Sequence, residues 1–206
     1  MRPALVPAVL TLAVSPALAA DWSYGERNTP GLVAAFPDQT RAPQMEGGPV
    51  LKVEVLAQGL DHPWGVAVLP QGGYLVTERS GSLRLIGAEG GISAPVKGVP
   101  EVLAEGQGGL LDVSLASDFA TSRRIWLTYA KPVEGGLSAT AAAYAALSDD
   151  GQSLQGLTEV FVQEPASPSP MQFGSRVAPA GDYVFITTGE HFTEEERQFA
   201  QDPSKT

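Results

Sequence analysis

A histidine and a glutamine flanked by glycines are side chains whose types could carry chemistry in this chain. His191 follows Glu190 directly, and an imidazole can accept a proton near neutral pH while an adjacent carboxylate raises its pKa. The alternative for His191 is an exposed loop histidine without a chemical role. Gln107 lies between Gly106 and Gly108, and a glycine backbone can approach a flat ligand closely. The chain therefore offers one candidate base and one candidate ligand-binding loop.

Several other kinds of site are excluded or disfavoured by the residue types. The chain has no cysteine, so disulfides, thiolate metal sites and cysteine nucleophiles are excluded. The glycine-rich phrase around Gln107 lacks the lysine and hydroxyl of a phosphate-binding loop. The carboxylates at 149–150 and 194–196 read as a turn and a helix start, without the ligand spacing of a calcium loop. His62, before Pro63 and Trp64, is better explained by a structural hydrogen bond or by packing on the tryptophan.

The elements that must position these residues are repeated along the chain. A sequence motif that predicts a strand, a tight turn and a second strand occurs three times, at residues 63–78, 109–129 and 173–189; we call each copy a phrase. Repetition at a spacing of several tens of residues indicates propeller blades or another repeat array. A propeller buries its blade faces by closing into a ring, and three blades do not close one.

The patterning predicts an all-β fold with about two and a half blades of four-stranded antiparallel sheet. The alanine-rich stretch at 139–146 has helical propensity, but the turn Ser148–Gly151 that follows it favours a strand. Thr193 and Glu196 form a capping box for a short helical turn. The predicted strands are Val50–Leu56, Gly65–Leu69, Tyr74–Glu78, Ser82–Ile86, Leu110–Leu115, Ile125–Tyr129, Ala139–Leu147, Glu159–Gln163, Arg176–Pro179 and Tyr183–Thr188.

The N-terminus has the features of an export signal. An apolar run follows Arg2 and is too short to span a bilayer, while Ala17 and Ala19 fit a signal peptidase site. We therefore expect a signal peptide at 1–19, an extended arm at 20–48 and an incomplete propeller at 49–206. No other long apolar stretch is present, so we expect a periplasmic or secreted protein without membrane insertion after cleavage.

The charge balance disfavours polyanionic partners. The sequence carries 13 basic and 23 acidic residues, a formal net charge of −10. A domain this acidic repels phosphate backbones and anionic lipid surfaces. We therefore expect no nucleic acid partner.

Four separate phrases resemble one family, the soluble PQQ-dependent aldose sugar dehydrogenases, which are six-bladed propellers of the glucose/sorbosone dehydrogenase type. The resemblance covers about residues 50–206 and corresponds to roughly the first half of such an enzyme. The matching stretches are Gly59–Gly65, Val76–Gly81, Gly106–Val113 and Phe173–Arg176, with Ala200–Asp202 similar as well.

The resemblance implies roles for individual residues. Gln107 matches the glutamine that hydrogen-bonds the quinone cofactor, and Arg176 matches an arginine that would pair with a quinone carboxylate or form a salt bridge across a blade. Gln172 stands where the family has a histidine general base, and an amide cannot take up the sugar proton. Gln172 could still orient the sugar hydroxyl by hydrogen bonding, and we hypothesise that His191 replaces the missing base. The alternatives are that the protein no longer oxidises sugars and that Gln172 is a loop residue without a catalytic role.

The implied function is oxidation of the C1 hydroxyl of an aldose by hydride transfer to PQQ, with electrons passed to a downstream acceptor. Calcium would hold the quinone carbonyls, with its ligands expected beyond residue 206; no metal ligand is assigned within the chain. Because half of the ring is missing, we expect a truncated protein with little or no activity by itself. The alternative is a non-catalytic propeller that binds a sugar or a protein partner.

Overall fold

The computed structural model describes residues 31, 33, 35–36, 47–49, 51–202 and 204–205. The predicted signal peptide and most of the predicted arm lie outside these residues. Backbone contacts divide the chain into units of residues 1–53 and 54–206, and all the described helices and strands belong to the second. Within the described ranges, no helix is both long enough and apolar enough to cross a membrane.

Within the described residues, nine strands form three antiparallel sheets, which confirms the all-β fold class. The elements are β1 Pro63–Val68, β2 Tyr74–Glu78, β3 Ser82–Ile86, β4 Leu110–Leu115, α1 Phe119–Ser122, β5 Arg124–Val133, β6 Leu137–Leu147, β7 Leu154–Val162, β8 Gly174–Ala180 and β9 Tyr183–Thr188. The sheets have the orders β1-β2-β3, β4-β5-β6-β7 and β8-β9, and of these three the second has four strands. The four-residue helix α1 lies between β4 and β5, and a 3-10 turn at Glu196–Gln201 follows β9.

The alanine-rich segment is a strand, as predicted from the turn that follows it. β6 pairs with β5 along its whole length and with β7 on its other side. Five of its alanines, at positions 139, 141, 142, 143 and 145, are fully buried. Pairing on both edges outweighs the intrinsic helical preference of alanine because it satisfies the backbone of a fully buried segment.

The predicted capping box is present in part. The Thr193 hydroxyl accepts the Glu196 N–H at 3.0 Å, which confirms that half of it.

The predicted strand at Val50–Leu56 is wrong over its described part, residues 51–56. No regular structure is assigned there, and Leu51 and Val53 are 82% and 87% exposed. Alternation of apolar and charged residues forms a strand only where a neighbouring strand takes up its backbone N–H and C=O groups. No described strand pairs with this segment, so the first sheet has three strands.

Two hydrophobic clusters hold the sheets together. The larger is formed by the first two sheets, and includes Leu75, Leu83 and Leu110, all fully buried. The smaller joins Leu111 on β4 to Phe173 before β8, with Ala130, Trp64 and Leu103 packed around them. Because its members come from the first two sheets and from the loops that precede β4 and β8, the smaller cluster holds these two loops in place.

The first strand of every sheet is interrupted at the same place. The pairing of β1, β4 and β8 with the following strand shifts between Pro63 and Val66, Leu110 and Val113, and Gly174 and Val177. A bulge of this kind takes a residue out of the regular ladder. In each case a threonine hydroxyl on the next strand accepts a bulge N–H. The Gly65 N–H donates to Thr77 at 2.8 Å, the Asp112 N–H to Thr128 at 3.1 Å, and the Arg176 N–H to Thr187 at 2.9 Å.

The same hydroxyls also connect neighbouring sheets. Thr77 donates its hydroxyl hydrogen to the Leu111 carbonyl, and Thr128 donates to the Ser175 carbonyl at 2.7 Å. Both threonines are fully buried. Each hydroxyl therefore accepts from its own bulge and donates to the bulge of the next sheet. We call this arrangement the threonine clasp; it sets the position of one inner strand against the next.

Replacing Thr128 by Val should destabilise the protein by about 1–3 kcal/mol, because the Asp112 N–H and the Ser175 carbonyl lose their buried partner. Thr158→Val is the matched control, since Thr158 lies exposed on β7 and its hydroxyl donates to the Gly156 carbonyl of the same strand. Urea denaturation measures both variants. Equal stability losses for T128V and T158V would contradict a clasp between sheets.

Candidate functional site

Gln107 and Gln172, 65 residues apart in the chain, meet in the structure. The Gln172 N–H donates to the Gln107 side-chain oxygen at 2.9 Å. Gln107 lies in the loop before β4 and Gln172 in the loop before β8, and β4 and β8 are the neighbouring inner strands joined by the threonine clasp. The two sequence phrases that carry these residues therefore form one site.

Close backbone approach holds the Gln107 loop in place. The Gln107 N–H donates to the Pro170 carbonyl at 2.8 Å. Gly106 has φ +56°, and a Cβ there would lie 2.5 Å from the Pro170 oxygen, so a larger residue would push the two loops apart. The Arg79 guanidinium donates to the carbonyls of Gly108, at 3.1 Å, and of Gly106. Glycine is thus required on steric grounds at position 106, where the Gln107 loop packs on Pro170.

The Gln107 amide group leaves donors available to a ligand. Its oxygen is taken by the Gln172 N–H, and among the described residues its nitrogen makes no hydrogen bond. The side chain is exposed. An amide nitrogen in this position can donate to a carbonyl or carboxylate of a bound molecule.

The Gln172 side chain faces Glu190, in the loop after β9. Its amide nitrogen lies 2.6 Å from Glu190 Oε2 and 2.8 Å from Oε1 when the amide is oriented to donate. The opposite orientation places the amide oxygen against carboxylate oxygens, which can only accept. Gln172 therefore donates to the carboxylate of Glu190, whose side chain is 26% exposed.

His191 is buried, so the expectation of an exposed loop histidine is wrong. The residue is 2% exposed, with Nδ1 3.1 Å from the Met171 carbonyl and Nε2 3.0 Å from the Gln163 side-chain oxygen. Burial lowers the pKa of His191 and outweighs the opposing influence of Glu196 and Glu190. The expected increase in pKa from Glu190 is therefore present but does not prevail. The hypothesis that His191 is the base stays a prediction.

The contacts of His191 connect the two loops that flank the site. The Gln163 amide nitrogen donates to the Gly189 carbonyl at 3.0 Å, which fixes its oxygen toward the imidazole. The ring also packs edge-on against Phe173, with centroids 5.1 Å apart. A neutral imidazole donates to only one of its two oxygen neighbours. In this conformation His191 positions the Gln172 loop.

Arg176 reaches across all three sheets. It lies on β8, its Nε is 3.1 Å from Asp112 Oδ2 on β4, and its guanidinium stands 5.6 Å from the ring of Trp64 on β1. The side chain is nevertheless 66% exposed. The salt bridge predicted as one alternative is present, and the exposed guanidinium retains N–H donors for an anionic ligand.

Asp112 is a buried carboxylate that sequence patterning did not identify. It is 1% exposed, Oδ2 accepts the Val177 N–H at 2.9 Å, and Oδ1 has no hydrogen-bond partner. Burial raises the pKa of Asp112, against the lowering effects of the Val177 N–H and Arg176. Gly65 takes the equivalent place on β1, where a Cβ would lie 3.0 Å from Asp112 Oδ1. Alignment of the repeated phrases, which sets Asp112 opposite Gly65 and Arg176, is the signal that could have found it.

His62 lies at the start of β1 and is 75% exposed, with Nδ1 2.6 Å from Asp61 Oδ1. The structural hydrogen bond proposed from the sequence is thus found with the preceding residue. This contact, followed by one with Ser80, lowers the pKa of Asp61. The buried carboxylate of Glu78 accepts the Asp61 N–H at 2.8 Å.

In the described part of the chain, no group of three or more histidine, aspartate or glutamate side chains is placed to hold a metal ion.

Residues 60–206 match the sequence profile of the family described as Glucose / Sorbosone dehydrogenase. Aldose sugar dehydrogenase YliI of Escherichia coli (strain K12) is 48% identical over 157 residues, which are 75% of this chain and 42% of that protein. The crystal structure of the soluble aldose sugar dehydrogenase from Escherichia coli in the apo-form aligns with a TM-score of 0.69, at 48% identity, over 74% of this chain and 44% of the other.

A second solved structure is of the PQQ-bound form of aldose sugar dehydrogenase from Streptomyces coelicolor. It is 25% identical, with a TM-score of 0.58, over 74% of this chain and 44% of the other. The chain thus spans less than half the length of each of these relatives.

Replacing Asp112 by Asn should change how stability depends on pH. A carboxyl whose pKa is raised by folding loses stability as the pH rises from its usual pKa of 3.8 through the raised value. The free energy of unfolding of D112N should therefore increase relative to the native protein across that window. Asp182→Asn, at an exposed turn, is the control and should show no such trend. Parallel pH profiles for the native protein and D112N would contradict it.

Replacing His191 by Asn should remove an opposite dependence. Because folding lowers the pKa of His191, the unfolded chain binds more protons, and native stability should fall as the pH drops below the usual value of 6.5. Denaturation midpoints at pH 8 and pH 5 measure the effect, which H191N should lose. His62→Asn, at the exposed histidine, should keep it. If the loss persisted in H191N, protonation of His191 would not be its cause.

Proposed function

The chain belongs to the glucose/sorbosone dehydrogenase family, and on that premise we propose that it forms part of a PQQ-dependent oxidoreductase that oxidises aldose sugars. The observation that carries the proposal is the 2.9 Å hydrogen bond from the Gln172 N–H to Gln107. It joins the residue that matches the family's cofactor-binding glutamine to the residue at the position of the family's base.

The donors of the site fit part of a flat, anionic cofactor. PQQ carries carboxylates and carbonyls, which accept hydrogen bonds. The Gln107 amide nitrogen and the exposed Arg176 guanidinium can donate to such groups, and the glycines beside Gln107 leave room for a planar ring. The remaining contacts would come from parts of the enzyme outside residues 1–206.

PQQ, when bound, supplies a two-electron oxidant that accepts a hydride from C1 of the sugar. The residues of this chain would bind the cofactor through Gln107 and Arg176 and orient the sugar hydroxyl near Gln172. Gln172 itself cannot take up a proton, and a positioned general base contributes about 10²–10⁴ to the rate. His191 remains a proposed base, which in this structure would first have to leave its contacts with Met171 and Gln163.

We extend the proposal to calcium bound by ligands outside residues 1–206, a downstream electron acceptor and a periplasmic or secreted location. Hydride transfer to the quinone and a low activity of residues 1–206 by themselves are part of the same proposal.

The second candidate function is a non-catalytic propeller that binds a sugar or a protein partner. Gln172 favours this second candidate, because binding requires hydrogen bonds but no base.

PQQ titration followed by tryptophan fluorescence tests the cofactor part of the proposal. Gln107→Leu should weaken PQQ binding about tenfold or more, since a hydrogen bond to a charged group contributes about 1.5–3 kcal/mol. Gln155→Leu is the control, because Gln155 lies exposed on β7, away from the site. Equal affinities for Q107L and Q155L would argue against this cofactor site.

Glucose addition to the complete PQQ- and calcium-loaded enzyme then separates the two functions. A change in quinone absorbance supports the dehydrogenase. Sugar binding without any absorbance change supports the non-catalytic propeller.

A further inference from the structure

Glu190 is the carboxylate nearest to the position where the family's base is missing. Both of its oxygens lie within 2.8 Å of the Gln172 amide nitrogen, and Gln172 in turn is held by Gln107. Arg197 Nε lies 3.7 Å from Glu190 Oε1. The carboxylate is thus fixed from two sides beside the candidate cofactor-binding residue.

We propose that Glu190 is the general base of the sugar oxidation and that Gln172 positions it. The inference rests on the proposed dehydrogenase function. A carboxylate can accept a proton, which the amide of Gln172 cannot. The hydrogen bond from Gln172 holds the carboxylate at the site and leaves further lone pairs of both oxygens for a substrate hydroxyl.

Accessibility distinguishes Glu190 from the two histidines. Its side chain is 26% exposed and borders a cavity of about 230 Å³ that is also lined by Gln163, Thr188 and Glu196. His191 also borders this cavity but is 2% exposed, with both ring nitrogens against protein oxygens. His62 is exposed, but it is paired with Asp61 and makes no hydrogen bond to Gln107 or Gln172. Of these three residues, Glu190 is the one that combines exposure with a direct contact to Gln172.

The chemistry balances with Glu190 as the proton acceptor. Oxidation of an aldose at C1 breaks the C1–H bond, whose electron pair leaves as hydride to the oxidised cofactor. The O–H bond of the hydroxyl group on C1 breaks as its proton passes to a Glu190 carboxylate oxygen. The electron pair of that bond converts the C1–O single bond into the C1=O double bond of the lactone. Bulk water then takes the proton from the partly exposed carboxyl group.

The test compares Glu190→Gln with Glu194→Gln in the complete, PQQ-loaded enzyme. E190Q should lower kcat by about 10²–10⁴ with little change in the KM for glucose. E194Q makes the same chemical change at an exposed position of the following loop and should stay within about twofold of the native rate. PQQ affinity should be unchanged in both variants. A native-like kcat for E190Q would overturn the proposal.

A second measurement needs no cofactor. The side-chain N–H₂ resonances of Gln172 in the ¹⁵N-labelled apo-protein should shift in E190Q and not in E194Q, because only the first substitution alters the group that they contact. Unshifted resonances in E190Q would overturn the positioning role of Gln172.

The two proposals fail in different ways. Native protein that binds PQQ but oxidises no aldose would reject the dehydrogenase function and the base with it. A native enzyme that works, beside an E190Q variant that works equally well, would reject Glu190 alone. The opposite pattern is also informative. If His191→Asn lowered kcat by about 10²–10⁴ and E190Q left kcat unchanged, His191 would be the proton acceptor.

Discussion

The structure depends on how the bulged backbone of each inner strand is satisfied. A bulge removes N–H and C=O groups from the ladder in a dry interior, where an unpaired group costs about 1–3 kcal/mol. The threonine clasp meets this requirement in the first two sheets with one buried hydroxyl each, Thr77 and Thr128, which accepts from its own bulge and donates to the bulge of the next sheet. In the third sheet the exposed Thr187 accepts the Arg176 N–H. The hydrogen bonds that satisfy the bulged backbone are therefore the same ones that hold neighbouring sheets together.

The clasp also determines where the site forms. Because it fixes β4 against β8, the loops that precede these strands meet, and Gln107 receives the Gln172 N–H. Asp112 strengthens the same junction by accepting from Val177 and pairing with Arg176, although its own burial disfavours the charge. An ion pair that is costly to bury thus serves here to join sheets and to aim an exposed guanidinium.

Strand positions were predictable because they depend on local alternation and turn residues. β2, β3, β4 and β9 have the predicted bounds, and the turn after residues 139–147 correctly predicts a strand there and not a helix. The segment at 51–56 was mispredicted because the same alternation says nothing about whether a partner strand is present. Gln107, Gln172 and Arg176 were named from their phrases, and the structure brings the two glutamines into direct contact. The burial of His191 and the Gln172–Glu190 contact depend on how distant loops pack, which no local pattern records.

A glutamine at position 172 changes the demands on its surroundings. A histidine there would use a neighbouring carboxylate to orient and charge its ring, since imidazole can carry the proton itself. A glutamine uses the same carboxylate as a hydrogen-bond acceptor, and within the Gln172–Glu190 pair it is Glu190 that can take up a proton. The amide must present its nitrogen to the carboxylate, which leaves its oxygen facing away and able to accept from a hydroxyl. Gln172 and Glu190 together therefore still provide one proton acceptor and one group that can orient a hydroxyl. The proton acceptor is now at position 190, and the orienting group is at position 172.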